Sequence, residues 1–362
     1  MPRWHRGLTR REVLAATGGS VGGLAGCLGR ATPVPSAGTG PPTAAVPRPV
    51  PYALETLREA VISGGVPRDG IPAIDDPSFI PRDEADEWLA DGDVVFGVRQ
   101  GSVVKAYPQR VVVYHEIVND RLGDRPVAVT YCPLTGTAIG FDRGPTTFGV
   151  TGDLVNNNLI AYDRATESRW PQVLATAIDG PYRGRSLREV RVVWTSWGRW
   201  KRAYPDTAVL SRDTGYARNY ARDPYGSYNP KRGHYAKNEG DREQPSLFPV
   251  LHVDGRHHMK KVVIGARTVD GAIAVVKDDL RRRGLAMATV GETPYLAAYD
   301  PVLETGYLYR NPADEGYATG ADGIRGPEGT VYPPDGLDLP GVNAFDAMWF
   351  AWVGFYPRTT VA

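Results

Sequence analysis

The chain has 362 residues, with 42 Lys and Arg against 41 Asp and Glu, a formal charge of +1. No basic patch or acid excess dominates, which argues against a nucleic-acid partner. Only two cysteines are present, too few for a disulfide framework, so stability must come from a buried core.

The first segment carries Arg3, Arg6, Arg10 and Arg11, opposed only by Glu12, and then a weakly apolar Ala/Gly/Leu run from Val13 to Gly26. That run is too short to span a bilayer and has the layout of an export signal. Thr9-Arg10-Arg11-Glu12-Val13-Leu14 resembles the twin-arginine export motif. Leu24-Ala25-Gly26-Cys27 resembles a lipobox, in which small residues admit a peptidase and the thiol of Cys27 takes a lipid. The expectation is a lipoprotein exported by the twin-arginine route and anchored to the outer face of the cytoplasmic membrane, extracellular or periplasmic. Loss of residues 1–26 removes four Arg and one Glu, leaving 38 basic and 40 acidic side chains and a charge of −2. Residues 27–51 are rich in Pro, Ala, Thr and Gly and are predicted to form a tether that does not pack.

From residue 52 to 362, short apolar runs separated by Gly and Pro predict a β-rich α+β domain. Val94-Val95-Phe96-Gly97-Val98-Arg99 opens a predicted β-hairpin turning at Gln100-Gly101. His115-Glu116 follows, and then an apolar run that ends at Tyr131-Cys132-Pro133. Asn156-Asn157-Asn158, between two apolar pieces, reads as a hairpin turn. Trp197-x-x-Trp200, ended by Tyr204-Pro205, reads as an amphipathic helix whose tryptophans pack in the core. Arg218 to Ser246 is polar and Tyr-, Gly-, Arg- and Asn-rich, the composition of a long loop or rim.

The later chain repeats the earlier one. Val94–Arg99 reappears as Val262–Arg267, and the run ending at Tyr131 reappears ending at Tyr299, both displaced by 168 residues. Trp197-x-x-Trp200-x-x-x-Tyr204-Pro205-x-Thr207-x-Val209 matches Trp349-x-x-Trp352-x-x-x-Tyr356-Pro357-x-Thr359-x-Val361, displaced by 152. This pattern predicts an internal duplication, about 90–210 and 258–362, with the two related halves packed as one compact body. Residues present in both copies then hold the fold, and reactive residues in one copy only are the functional candidates. Cys132 meets Asp300 in the second copy and His115 meets Arg283, which points to the first half.

Val104-Lys105-Ala106-Tyr107-Pro108, His115-Glu116-Ile117-Val118-Asn119-Asp120 and Thr130-Tyr131-Cys132-Pro133-Leu134-Thr135-Gly136-Thr137-Ala138 resemble the domain-of-unknown-function family numbered 3179, found in exported bacterial and archaeal proteins. Phe148–Leu154, Tyr162-Asp163-Arg164, Ser168-Arg169-Trp170-Pro171-Gln172 and Tyr204-Pro205-Asp206-Thr207 continue the likeness, which runs from about residue 66. The resemblance implies no established activity. Some members resemble Cys-Pro-Leu-Cys-Gly where this chain has Thr135, so a thiol pair is missing here.

Three readings of His115 and Cys132 stand. Thiolate and imidazole suit copper or zinc, with further ligands from Glu116 or from His252, His257 or His258 and a weak axial ligand from Met259. Alternatively Cys132 is a catalytic nucleophile, with His115 as base and Glu116, Asp142 or Asp163 as orienter, in a cysteine-dependent enzyme. Otherwise both are structural, Cys132 being the end of a buried strand. Glu116, Asp153, Asn156, Asp163, Arg164 and Trp170 form a candidate ligand-binding set for a small molecule, the oxygen-rich stretch from Asp153 being dense enough for calcium or a sugar cleft. A non-catalytic binding or scaffolding module would instead use the aromatic and arginine-rich surface between Trp194 and Tyr228.

Overall fold

The computed structural model describes residues 40–225, 228 and 246–362. The twin-arginine segment, the lipobox with Cys27 and tether residues 27–39 lie outside the described residues. The described helices are short, none longer than seven residues, and none is long and apolar enough to cross a membrane. Strands dominate, so the chain is β-rich with few helices, and its several sheets lie in one compact unit.

Two arrangements of similar strand order, each spread over several sheets, organise the chain. In the first, strands β1 (Val94–Gln100) and β2 (Val103–Pro108) form a hairpin, and helix α1 (Gln109–Val112) follows. The antiparallel meander β3 (Ile117–Leu122), β4 (Arg125–Cys132) and β5 (Thr137–Asp142) comes next. A second antiparallel hairpin, β6 (Phe148–Val155) and β7 (Asn158–Asp163), is flanked by the short strand β8 (Arg169–Pro171). The chain then returns: β9 (Glu189–Val190) pairs with β5 and β10 (Val193–Ser196) with β1. After helix α2 (Trp197–Ala203), β11 (Ala208–Leu210) adds parallel to β2.

The later residues follow the same course. The hairpin β12 (Val262–Thr268) and β13 (Gly271–Val276) leads into α3 (Lys277–Arg283). The meander is β14 (Leu285–Val290), β15 (Thr293–Asp300) and β16 (Thr305–Arg310). A small sheet of β17 (Ala318–Gly320), β18 (Gly323–Arg325) and β19 (Val331–Tyr332) stands where the first half has β6 to β8. Then β20 (Gly341–Val342) pairs with β16, and β21 (Ala344–Met348) pairs with β12. Helix α4 (Trp349–Phe355) and β22 (Thr360–Val361), parallel to β13, complete it.

The tryptophan pairs lock each sheet to its helix. Trp197, Trp200, Trp349 and Trp352 are fully buried. Trp200 donates its indole N–H to Thr207 Oγ1 at 2.9 Å, and Trp352 donates to Thr359 Oγ1 at 2.9 Å. Each second ring lies on a strand glycine, Gly97 or Gly265, where a Cβ would fall inside the ring. The indoles therefore bury a large apolar area while their one polar atom is satisfied. Binding through these tryptophans is ruled out by their burial.

The described end of the expected tether behaves differently from a free linker. Gly40 and Pro41 are buried, Ala44 N–H donates to Ser186 O at 2.7 Å and Arg48 N–H donates to Ser186 Oγ at 2.9 Å. Pro- and Ala-rich chain carries little apolar bulk, but its backbone amides can still pair with a neighbouring segment. Residues 40–51 thus lie along the body, which shortens the expected tether.

Candidate functional site

The site begins where α1 ends. Glu116 N–H donates to Val112 O at 2.7 Å, and Glu116 then adopts φ 58°, the left-handed geometry that closes a helical turn and ordinarily falls to glycine. Glu116 O accepts from Tyr131 N–H at 2.8 Å, which fastens the turn to the end of β4. The second half makes the same turn: Gly284 has φ 76° and its O accepts from Tyr299 N–H at 2.8 Å. A left-handed conformation costs an ordinary residue about 1–2 kcal/mol. The first half thus tolerates a carboxylate where its counterpart uses glycine, and Cys132 follows Tyr131 where Asp300 follows Tyr299.

Glu116 is 5% exposed, and its carboxyl makes no hydrogen bond or ion pair to another described residue. Burial pushes it up to about 8. Cys132 is buried, and burial together with the neighbouring Glu116 charge pushes its thiol up to about 11. Both groups therefore carry protons at neutral pH. Tyr225 and Tyr228, from the polar segment after Arg218, close over the pair, and burial with the charges of Glu116 and Cys132 raises Tyr225 well above the ordinary phenol range. Tyr228 donates its hydroxyl to Leu134 O at 3.1 Å, and its ring lies under the Lys260 ammonium at 3.6 Å.

Beneath the pair lies a fully buried polar chain. Thr137 donates to Gln172 Oε1 at 2.6 Å, so the 2.8 Å contact between Thr135 and Thr137 has Thr135 as donor. Gln172 Nε2 donates to Thr130 Oγ1 at 2.8 Å, and Asn158 Nδ2 donates to Gln172 Oε1 at 3.0 Å and Thr135 Oγ1 at 3.2 Å. Every member is paired, so the chain rigidifies the floor.

His115 is not part of this pair. Its Nδ1 lies 2.8 Å from Pro72 O, an acceptor only, so Nδ1 carries the proton and Nε2 accepts from Tyr220 O–H at 2.7 Å. Burial lowers its proton affinity, which keeps the ring neutral. Cys132 Sγ is engaged elsewhere, donating to Asn157 O at 3.6 Å and accepting from Leu159 N–H at 3.4 Å. No hydrogen bond joins His115 to Cys132 among the described residues, because the left-handed turn sends residue 115 toward Pro72 and residue 116 toward β4. His115 and Cys132 thus stand in separate hydrogen-bond networks.

The four expected copper or zinc ligands do not assemble either. His257 packs edge-on against Trp349 and His258 Nδ1 accepts from Lys260 N–H at 3.3 Å. Among the described residues no group of three or more His, Cys, Asp and Glu side chains is placed to hold a metal ion.

The oxygen-rich stretch is likewise committed to backbone and ion pairs. Asn156 and Asn157, at φ 54° and 61°, are the turn of the β6–β7 hairpin. Asn156 donates to Ala351 O at 2.9 Å and accepts from Leu251 N–H at 3.0 Å. Asp163 accepts from Thr166 and, at 3.0 Å, from the Trp170 indole. Asp153 pairs with Arg169 at 2.6 Å and Arg164 with Asp75 at 2.7 Å. Asp142 pairs with Arg125 at 3.4 Å. Of the six expected ligand-binding residues, only Glu116 stands at the Cys132 cluster.

Sequence reasoning placed Tyr220, Tyr225 and Tyr228 in a candidate binding surface between Trp194 and Tyr228 and did not connect them with His115, Glu116 or Cys132. The signal was their recurrence in a polar segment that otherwise has little to bury. No curated protein and no solved structure matches the chain. A family model does, over residues 68–359, a span that takes in both arrangements and every residue of the site: the chain belongs to the family described as Protein of unknown function (DUF3179).

Proposed function

We propose that the protein binds a small neutral ligand, rich in hydrogen-bond acceptors, at Glu116 and Cys132. The observation that carries this is the strained, buried Glu116, whose carboxyl has no hydrogen-bond or ion-pair partner among the described residues, at the place where the second half has Gly284. Strain of this kind persists where the surroundings over-determine it, and it clusters at functional sites. With Glu116 protonated near neutral pH and the Cys132 thiol already donating to Asn157 O, the Glu116 hydroxyl is the donor offered inside an apolar wall, which selects carbonyl-like acceptors over anions. Native mass spectrometry of the full chain, gently purified, tests it. A small molecule retained by the wild type and lost from Glu116→Gln supports the reading; equal spectra for the two refute it. Copper or zinc lost from Cys132→Ser would favour a metal site instead.

A cysteine-dependent enzyme is the second reading, favoured by the carboxyl beside the thiol. Glu116 would first have to give up its own proton, as it does above about pH 8, before its carboxylate could take the proton of Cys132.

The setting of this site belongs to the same proposal. Arg10-Arg11 and Leu24–Cys27 support twin-arginine export and a lipid anchor on Cys27, with residues 27–39 as the remaining tether. Cys27→Ala is expected to move the protein from the membrane fraction to the soluble exported one. Matched element order and a shared 168-residue displacement support an origin of residues 90–210 and 258–362 in one duplicated unit.

A further inference from the structure

The second half carries a cleft at the place where the first half holds Glu116 and Cys132. Its walls include Arg281, Arg283, Gly284, Tyr299, Asp300 and Asp322, and it encloses about 590 Å³. Gly284 corresponds to Glu116 and Asp300 to Cys132, through the same 168-residue displacement and the same 2.8 Å bond from the β15 tyrosine to the turn. The first-half position is roofed by Tyr225 and Tyr228. Here Gly284 carries no side chain, the Thr319 methyl packs against the place a Cβ would take, and the cleft opens beside them.

The charges at the rim decide what such a cleft takes. Arg282 is tied to Asp279 at 2.6 Å. Arg281 and Arg283 are exposed and make no ion pair or hydrogen bond with a described residue. Asp300 accepts from Val302 N–H at 2.8 Å and Leu303 N–H at 3.1 Å, so its carboxylate is engaged in holding the β15–β16 turn. Asp322, at the tip of the β17–β18 hairpin, is the opposing acid. Two guanidinium groups, free to present forked donors, face a cleft whose remaining wall is largely Gly, Pro, Thr and aliphatic.

We infer that this cleft is a phosphate-binding site, with Arg281 and Arg283 gripping the phosphoryl oxygens and Tyr299 beside the attached group. Guanidinium forks match phosphate geometry bidentately, and the enclosed space is in the range of small-ligand sites, about 300–1,000 Å³. The phosphate could be carried by a soluble phosphomonoester or by a phospholipid headgroup. The site is independent of the Glu116 reading and shares no residue with it.

Calorimetry of the full chain with phenyl phosphate, and flotation with phosphatidylglycerol vesicles, separate the two sources. Binding in either assay that weakens at least about tenfold in Arg281→Ala/Arg283→Ala supports the site, since the charge-assisted hydrogen bonds that hold the phosphoryl oxygens are then lost. Asp322→Ala, which removes the opposing charge, is expected to tighten the same binding and guards against misfolding of the arginine variant. Absence of binding in both assays, or binding indifferent to all three substitutions, overturns the inference.

Discussion

Glu116 predicts an unusual dependence of stability on pH. Its carboxyl titrates at about 8 in the folded protein against 4.5 when free. Between those values the unfolded chain has lost the proton and the folded chain keeps it, so folding takes up a proton. Stability from this group is complete below pH 4.5 and is lost as pH rises through 8, at about 1.4 kcal/mol per pH unit. Across the window this amounts to about 5 kcal/mol, an upper bound because water entering the site relieves part of the penalty. Glu116→Gln keeps the shape and the left-handed turn but cannot ionise. Urea unfolding of both proteins at pH 5, 7 and 9 isolates the effect, because every other titrating group cancels in the difference. The variant should exceed the wild type by no more than about 1 kcal/mol at pH 5 and by several kcal/mol at pH 9. Parallel pH profiles for the two proteins would refute the assignment of a buried, proton-holding carboxyl.

Other substitutions probe the same architecture. Glu116→Gly, which copies the second half, should raise stability at pH 4, where the carboxyl is protonated folded or unfolded, by up to about 1 kcal/mol, relief of left-handed strain exceeding the added chain entropy; a loss in thermal or urea unfolding would contradict the strain argument. Gly97→Ala and Gly265→Ala each drive a methyl into a buried indole, and each should cost at least about 2 kcal/mol in urea unfolding. A methanethiosulfonate probe at pH 7 should label Cys132 far more slowly than an exposed thiol, because burial holds it protonated and covered; prompt labelling of the folded protein would show the site to be open.

Much of the fold was legible because its determinants are local. The hairpins show as paired apolar runs around Gly101 and Gly271, and the Asn156-Asn157 turn as residues that tolerate positive φ. Trp197 and Trp200 at helical spacing identified both a helix and a buried face. The site was harder to see. His115 and Cys132 are the reactive residue types, so composition drew attention to them, yet the backbone turn at residue 116 turns one away from the other. Glu116 was named only in supporting roles, as a further metal ligand, an orienter or one of six ligand-binding residues, since nothing in the sequence reports that it stands in a left-handed turn. The comparison with Gly284 was already available in the 168-residue displacement and becomes meaningful only when the φ values are known. The docking of residues 40–48 along the body also escaped notice, because it depends on amides that pair irrespective of side chain.

The topology has a consequence for how the chain is made. Strand β1 needs β10 as its neighbour and β2 needs β11, and both partners are synthesised only after the whole β3–β9 region. The β12–β13 hairpin likewise waits for β21 and β22 at the far end of the chain. Until those segments emerge, each hairpin carries open hydrogen-bonding edges, which invite association with other chains. A nascent chain is therefore at greatest risk twice, before Leu210 and again before Val361. The Trp-bearing helices α2 and α4 arrive with the closing strands, so each sheet is sealed and covered in a single late step.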